Sequence, residues 1–257
     1  MKKLLQVLSL VLIPVFGVGQ DIHFSQYMAT PVNINPALVG LFDGEYRMSA
    51  QFKSQWGSID NSYKTIALSG DMVAFNGFGN NDLVGLGLSL YSDKAGDTKF
   101  TTTNGSLTFA YHKALSYYAN NYLTVGFVAG ITQKKFSISD MTFDNQYNGV
   151  DYDPSVSIVE NIGLSQVSYG DYGVGLNWFY GPSDNKHIYI GGAMFHVNEP
   201  NQSFFVGNHE PVYRRHTIYT GGKYALNDKL SLLPNVMFML QGPHREVFLG
   251  THASYRL

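Results

Sequence analysis

The feature that most constrains this chain is a two-residue alternation of apolar and polar side chains, repeated in ten segments. Successive side chains of an extended chain point to opposite faces, so this period predicts β-strands rather than helices. Pro234 falls inside one segment, and because proline lacks a ladder donor, a bulge or strand boundary is expected there. The predicted strands are Glu45–Trp56, Tyr63–Ala74, Leu83–Tyr91, Thr103–His112, Tyr122–Lys134, Tyr172–Tyr180, His187–Val197, His216–Leu226, Leu230–Leu240 and Glu246–Leu257.

The predicted strands are about 9–14 residues long, near the span of a tilted transmembrane strand and longer than typical soluble strands. Their second faces carry Gly, Ser, Thr and Asn. A soluble sandwich with one wet face gives the same alternation, so the pattern alone leaves both folds open. Composition favours the membrane, because charged residues make up 14% of the chain against about 25% in soluble domains. We therefore expect an all-β fold, an antiparallel transmembrane β-barrel of the outer membrane with about ten strands present.

An export signal is predicted over residues 1–19. Lys2 and Lys3 precede an apolar run, Leu4–Phe16, that is shorter than the roughly 20 residues of a transmembrane helix. Small residues up to Gly19 precede the predicted cut. A membrane anchor is the alternative interpretation. The chain has no cysteine, so neither lipid attachment at a cysteine nor a disulfide is expected.

The connections between the predicted strands alternate in length. Because outer-membrane barrels have short periplasmic turns and long outer loops, the long connections are expected to face outside. The long ones are roughly 137–171 and 198–215, and the short ones are 76–81, 115–120, 181–186 and 227–229. The expected organisation is a signal at 1–19, an N-terminal periplasmic segment at 20–44 at or inside the barrel mouth, and a barrel at 45–257.

No catalytic motif is present, since the chain has no GxSxG, no HExxH and no P-loop. No cofactor or metal is expected, and a net charge of −2 gives no sign of nucleic-acid binding. Four aspartates between 140 and 153 offer oxygen ligands for calcium but lack EF-hand spacing, so a solvated acidic loop is the simpler interpretation. Polar residues expected in the lumen suit either an internal charge network or a pore lining: Arg47, Lys53, Asp71, Lys134, His252 and Arg256.

One segment stands apart from the strands, DIHFSQYMATPVNINPALVG at residues 21–40. Its prolines fix the backbone and its asparagines offer side-chain caps, so it is expected to be ordered and irregular. The segment resembles the N-terminal signature of the PorP/SprF family, outer-membrane proteins tied to type IX secretion. The resemblance lies in Asp21, His23, Phe24, Ser25, Gln26, Tyr27, Pro31, Asn35, Pro36, Ala37 and Gly40.

The likeness to this family runs through the mature chain. Residues 53–56 resemble a first-strand motif of the family that usually begins with arginine. Lys53 stands at that position, so the positive charge is kept but the planar guanidinium group is lost. Residues 141–147 and 196–204 resemble the family's long loops. Family members usually continue for several more strands, so either the sequence is a fragment or ten strands close a smaller barrel. A fragment would leave an open seam between the first and last strands.

The resemblance implies an accessory component of type IX secretion that helps secrete or retain a cargo protein, such as a gliding adhesin, at the cell surface. The implied partners are membrane lipid, the cargo's C-terminal domain and periplasmic subunits of the secretion ring. Aromatic and amide side chains in the two long loops suit protein recognition, and they equally suit ordering of the loops against each other. The candidate docking residues are Phe143, Asn145, Tyr147, Asn198, Pro200, Asn201 and Phe204.

Two other functions stay open at the level of the sequence. A passive porin or small-solute channel needs an open lumen, with which many small inward residues are compatible. A membrane-embedded hydrolase needs a Ser–His or His–carboxylate pair on neighbouring strand ends, which the sequence does not reveal. We expect a protein that is not an enzyme.

Overall fold

The computed structural model describes residues 21, 27, 30–57, 62–78, 81–118, 120–153, 155–157, 163–183 and 185–255. The predicted signal at 1–19 lies outside these residues. None of the helices within them has the length and apolar character needed to span a membrane. The regular structure they contain is β-strand with a few single-turn 3₁₀ helices.

Ten strands form one antiparallel sheet in which each strand pairs with its neighbour in sequence. The sheet curls into a half-barrel. The predicted all-β, antiparallel, ten-stranded architecture is confirmed, and several strands extend further than predicted. The strands are β1 (Tyr46–Gln55), β2 (Tyr63–Phe78), β3 (Asp82–Ala95), β4 (Phe100–Ala114), β5 (Asn121–Lys135), β6 (Gln166–Ser183), β7 (Lys186–Phe195), β8 (Arg215–Ala225), β9 (Leu230–Gln241) and β10 (His244–Tyr255).

Exposure alternates along the strands as the sequence predicted. In β1 the outward Met48 is 90% exposed while its neighbours are half-buried. In β4 the outward Leu107 and Phe109 are exposed, whereas Thr108 and His112 are buried on the other face. The convex face is therefore a belt of exposed apolar side chains, and the concave face is a polar lumen. Strands of 10 to 18 residues suffice to cross an apolar band of about 25 Å.

Pro234 lies in the interior of β9, so the expectation of a bulge or a strand boundary there is wrong. Gly221 pairs with Asn235 and Tyr224 pairs with Leu232, which is the same register on both sides of the proline. The β8–β9 ladder is interrupted only between these pairs, while the pairing of β9 with β10 continues past it. The missing N–H therefore removes local pairing without shifting the strand.

The edge strands of the described sheet are β1 and β10, which do not pair with each other. The open seam expected between the first and last strands is present. The connections define two ends of the lumen. Short connections follow β2, β4, β6 and β8 at what we call the turn end, and the long connections 136–165 and 196–214 lie at the opposite loop end.

The 196–214 connection leaves the sheet below the rim and folds over the lumen. Phe195 at the end of β7 pairs with Gly173, whereas β6 continues beyond this point to its first residue at the loop end. On the concave side Phe204 packs against Phe100 and Phe136, with ring centroids 6.1 and 5.0 Å apart. Part of the loop end is therefore covered by this connection.

The orientation of the apolar belt predicts a strong penalty for charge on the convex face. Leu107 is 67% exposed near the middle of β4, and Leu107→Arg is expected to lower the free energy of unfolding by about 2–4 kcal/mol in lipid vesicles. The measurement is a urea titration. Val206→Arg is the matched control, because Val206 is 86% exposed in a loop and the expected change is within about 0.5 kcal/mol. Equal effects would contradict the assignment of the lipid-facing surface.

Candidate functional site: a plug in the lumen

An irregular segment, Thr30–Gly40, lies on the concave face of the sheet, and we call it the plug. It contains two single-turn 3₁₀ helices, Pro31–Asn33 and Pro36–Leu38. Each begins with proline, whose fixed φ suits the first helical position. The Asn35 side chain caps the second turn by accepting the N–H of Ala37 at 2.8 Å. Local sequence thus sets the shape of the plug, as its prolines and asparagines predicted.

Glycines on the lumen side let the plug backbone lie directly on the sheet. A Cβ atom at Gly85 of β3 would lie 2.2 Å from the carbonyl oxygen of Val39, and one at Gly126 of β5 would lie 2.3 Å from the amide nitrogen of Ala37. At Gly175 of β6 it would lie 1.9 Å from a side-chain oxygen of the plug. No other residue type fits at these three positions, which we call the glycine floor.

The Asn35 amide joins the plug to three neighbouring strands. Its Nδ2 lies 2.8 Å from the carbonyl oxygen of Leu176, 3.1 Å from that of Gly192 and 3.0 Å from the hydroxyl oxygen of Tyr219, so its two hydrogens are shared among three acceptors. That hydroxyl donates in turn to Asn177 at 2.9 Å. Asn35 is completely buried. Because a buried amide without partners is costly, this network favours one position of the plug.

A bidentate ion pair holds the end of the plug nearest the turn end. Arg47 donates from Nε at 2.9 Å and from Nη2 at 2.6 Å to the two carboxylate oxygens of Asp71. The same Nη2 donates to the carbonyl oxygen of Leu38 at 3.1 Å, and the Gly40 amide donates to Asp71 at 2.8 Å. We call this group the turn-end anchor. Both charges are thereby used to bind plug backbone, in the strong geometry of arginine with carboxylate.

His112 of β4 binds the plug from below. Its Nε2 lies 2.8 Å from the carbonyl oxygen of Val39, and its Nδ1 lies 2.8 Å from the Thr124 hydroxyl. A carbonyl oxygen only accepts, so Nε2 carries the hydrogen, and a neutral ring then accepts from Thr124 at Nδ1. His112 has no exposed surface. The ring therefore acts as a fixed donor to the plug.

A second charged group holds the chain at the N-terminal side of the plug. One carboxylate oxygen of Asp21 lies 2.6 Å from His196 Nε2 and 3.0 Å from Arg215 Nη1. His196 Nδ1 lies 2.8 Å from Asp171, at an angle outside hydrogen-bond alignment, so this contact is an ion pair. Arg215 also donates to the carbonyl oxygen of Asn33 at 3.1 Å. We call Asp21, Asp171, His196 and Arg215 the loop-end latch.

The latch favours the charged forms of His196 and Asp21. Burial alone would lower the pKa of His196, but the carboxylates of Asp21 and Asp171 outweigh it and raise the pKa to about 9. Burial alone would raise the pKa of Asp21, and the charges of His196 and Arg215 instead hold it well below its usual range. At neutral pH the latch therefore contains two anions and two cations.

Tyr27, which lies between Asp21 and the plug in the sequence, binds the N-terminal segment to the sheet. Its hydroxyl hydrogen-bonds to Asn235 of β9. Its ring lies 5.5 Å from that of Phe248 and packs in a buried cluster with Tyr219 and Met237. This contact brings β8, β9 and β10 into the set of strands that hold the N-terminal segment.

The plug separates two cavities on the concave face. One, of about 630 Å³, lies at the loop end, and its lining includes Asp21, Lys134 and His196. The other, of about 410 Å³, lies at the turn end and is lined by the C-terminal side of the plug with Arg47 and Tyr189. The described lumen is therefore plugged between its two ends.

A family model described as the type IX secretion system membrane protein PorP/SprF matches residues 17–256. The chain belongs to the PorP/SprF family. It is accordingly a membrane component of type IX secretion, and its exposed apolar belt is the surface that meets lipid. A comparison with curated proteins finds no match.

The N-terminal residues that carry the resemblance to PorP/SprF converge on the lumen. Asp21 forms the latch, Tyr27 the hydrophobic contact, and Asn35 the central amide. Pro31 and Pro36 start the two turns of the plug, and Ala37 and Gly40 meet the sheet closely. The motif residues His23, Phe24, Ser25 and Gln26 lie outside the described residues.

The docking residues predicted in the 136–165 connection lie near one another at the loop end. Asn145 uses its Nδ2 to donate to the carbonyl oxygen of Ser157 at 2.8 Å. Tyr147 is half-exposed, with its ring 5.5 Å from that of Tyr152. Phe143 is partly buried and precedes a 3₁₀ turn. Of these three, Tyr147 offers the most exposed ring.

The docking residues predicted in the 196–214 connection mostly have internal partners. Asn198 donates to the carbonyl oxygen of Gly170 at 2.8 Å beside the uncovered part of β6. Asn201 accepts two backbone amides and donates to a third group within its own loop. Pro200 is buried, and Phe204 packs on the lumen side. The exposed apolar tip of this connection is instead Val206.

Sequence reasoning missed most of the residues that receive the plug. Of the six polar residues expected in the lumen, Arg47 and Asp71 meet in the turn-end anchor, and Lys134 bonds to Gln202 of the covering connection. Arg215 and His112 were not singled out. For His112 one signal was available, since it points inward on a strand whose other inward residues are uncharged.

The glycine floor predicts a steric test of the plug. Gly126→Ala places a Cβ atom 2.3 Å from the plug backbone, so the plug is expected to shift at a cost of about 1–3 kcal/mol. Limited proteolysis in detergent should then cut near residues 30–40 faster than in the wild type. Gly70→Ala is the matched control, because its Cβ would meet nothing closer than 3.8 Å. Identical digestion of both variants and the wild type would contradict the account.

The latch predicts a loss of stability at alkaline pH. The folded pKa of His196, about 9, exceeds the unfolded value of about 6.5, so its contribution is complete below pH 6.5 and disappears as pH rises through 9. The contribution is on the order of 2–3 kcal/mol at most. Urea unfolding of the wild type and of His196→Gln between pH 6 and 10 measures it. The two curves should converge with rising pH, and parallel curves would contradict the assignment.

Proposed function

We propose that this chain is an accessory protein of the bacterial outer membrane that helps type IX secretion deliver or retain a cargo protein at the cell surface. The cargo class proposed is a secreted protein such as a gliding adhesin, bound through its C-terminal domain. No enzymatic activity is assigned to the chain. Family membership supports the secretion role. The plug is the observation that supports the binding role. A barrel whose lumen is filled by an ordered segment of its own chain suits a docking platform.

The plug also weighs against the passive channel. A porin keeps a water-filled lumen between its two ends, whereas here Asn35, Ala37 and Val39 fill it with no exposed surface. Ion pairs at both ends of the segment oppose its spontaneous release. A protein of this architecture is expected to conduct ions poorly in its resting state.

The loop end offers the surface that suits a protein partner. Tyr147 is 50% exposed, Val150 is 89% exposed, and Val206 is 86% exposed on the other long connection. These side chains keep half or more of their surface exposed, and aromatic and aliphatic anchors of this kind dominate the binding energy at protein interfaces. The amides of Asn145 and Asn201 hold the loops that present them.

The decisive experiment is a pull-down from the native host. Tagged protein is extracted in detergent, and the co-purifying proteins are identified and quantified. Wild type should recover a secreted protein with a type IX C-terminal domain. The double variant Tyr147→Ala with Val206→Ser should recover roughly a tenth as much, which corresponds to about 1.4 kcal/mol of binding free energy.

The control variant changes exposed aromatic residues at the opposite end of the lumen. Tyr117 and Tyr118 are 81% and 83% exposed in the turn between β4 and β5. Tyr117→Ala with Tyr118→Ala should leave cargo recovery unchanged. Recovery of no stable partner, together with ion conductance of the wild type in planar bilayers, would overturn the proposal in favour of a channel.

A further inference from the structure

We propose that Arg215 and His196 form a carboxylate-binding site on the floor of the loop-end cavity, and that Asp21 occupies it as an internal ligand. The C-terminal carboxylate of an exported polypeptide takes the place of Asp21 when it enters from the loop end. The choice of a polypeptide as the ligand rests on the proposed function.

The contacts of Asp21 are those that the last residue of a polypeptide would make. Its carboxylate receives Arg215 and His196 at 3.0 and 2.6 Å, and its backbone amide donates to Gln241 Oε1 at 3.0 Å. A C-terminal residue carries the same two groups, one N–H and one carboxylate, with one carbon between them where Asp21 has two. The site therefore has a donor set for the anion and an acceptor for the adjoining amide.

Asp21 leaves part of the binding capacity of Arg215 unused. The guanidinium is nearly buried, at 10% exposed, and its Nε atom has no hydrogen-bond partner among the described residues. Asp21 engages Nη1, while Nη2 donates to the plug carbonyl of Asn33. A planar guanidinium binds a carboxylate best through two parallel N–H groups. A freely oriented carboxylate can use two N–H groups on one edge of the guanidinium, such as Nε with the second hydrogen of Nη2, whereas the tethered Asp21 engages Nη1 alone.

The space around Asp21 suits a short peptide end. The loop-end cavity of about 630 Å³ falls within the usual 300–1,000 Å³ of ligand sites. A smaller cavity of about 60 Å³ lies beyond it and is lined by Arg215. Asp21 and His196 line both cavities, so the Asp21 side chain stands between the open space and the guanidinium. Aromatic rings form much of the larger wall: Tyr63, Tyr91, Phe100, Tyr169 and Tyr213.

Charge balance explains why an anion must occupy this site. With Asp21 withdrawn, the one carboxylate among the described residues that stays in contact with this pair of cations is Asp171, which lies beside His196. A buried cation without a counter-ion is strongly unfavourable. Withdrawal of Asp21 therefore needs a replacement anion, while the plug stays held by Asn35 and the turn-end anchor. Exchange at the latch would free only the N-terminal end of the segment.

Fluorescence anisotropy with labelled pentapeptides tests the proposal on the purified full-length protein in detergent. Three peptides share their first four residues: one ends in a free C-terminal acid, one has the same last residue as a C-terminal amide, and one is an amide whose last residue is aspartate. Asp21→Asn removes the competing internal anion and should bind the free-acid peptide at least tenfold more tightly than the wild type. In this variant the plain amide should bind at least tenfold more weakly than the acid.

Arginine variants locate the site. Arg215→Gln combined with Asp21→Asn should abolish the preference for the acid, and His196→Gln with Asp21→Asn should weaken it. Arg214→Gln with Asp21→Asn is the matched control, because Arg214 is half-exposed and pairs with Glu199; its preference should persist. The circular dichroism spectrum of each variant must match that of the wild type.

Three results would overturn the proposal. They are equal binding of the acid and amide peptides, no gain in affinity on Asp21→Asn, and a preference that survives the loss of Arg215. Binding of the aspartate amide as tightly as the free acid would support the carboxylate site and assign an acidic side chain as its source. The cavity is not lined by Tyr147 or Val206, so failure here leaves the docking function to the pull-down.

Discussion

Close contact between a polar backbone segment and a floor of glycines is the constraint on which the rest of this structure depends. Buried peptide groups must keep their hydrogen bonds, and the plug finds its partners in lumen side chains. The Val39 carbonyl receives His112, and the Gly40 amide reaches Asp71. These bonds form because Gly85 and Gly126 have no side chain to hold the plug away. A methyl group at either position would lift the plug and lengthen several bonds together.

The two ends of the plug are held by different chemistry, and this difference has a functional meaning. The turn-end anchor is a bidentate pair in which Nε and Nη2 of Arg47 and both carboxylate oxygens of Asp71 are engaged with each other or with the plug. The loop-end latch is a mixed cluster with spare donor capacity and a histidine that titrates. A partner arriving at the loop end meets the more exchangeable contact first. Under the function proposed above, this is the end at which a secreted cargo docks.

The fold could be predicted from the sequence because the side chains of each strand alternate according to what its two faces contact. Apolar residues face outward, and polar residues face the lumen. Pairing followed because consecutive strands are neighbours. The site could be predicted only in part. The family motif identifies Asp21 and Asn35 in the sequence. Their contacts in the lumen could not be predicted, because the partners of Asn35 lie 141 to 184 positions away in the chain. Inward-facing glycines give the same sequence pattern whether they line an open pore or lie beneath a plug.

Disulfide trapping can show whether the plug lies on the lumen face of the sheet. The chain has no cysteine, so an introduced pair has no background. A Cβ atom at Gly87 would lie 3.1 Å from a methyl carbon of Val39, and Val39→Cys with Gly87→Cys should therefore cross-link in intact membranes without added oxidant catalyst. Val39→Cys with Gly70→Cys, on the convex face, should not. Equal cross-linking of both pairs, or none with Gly87, would contradict a plugged lumen.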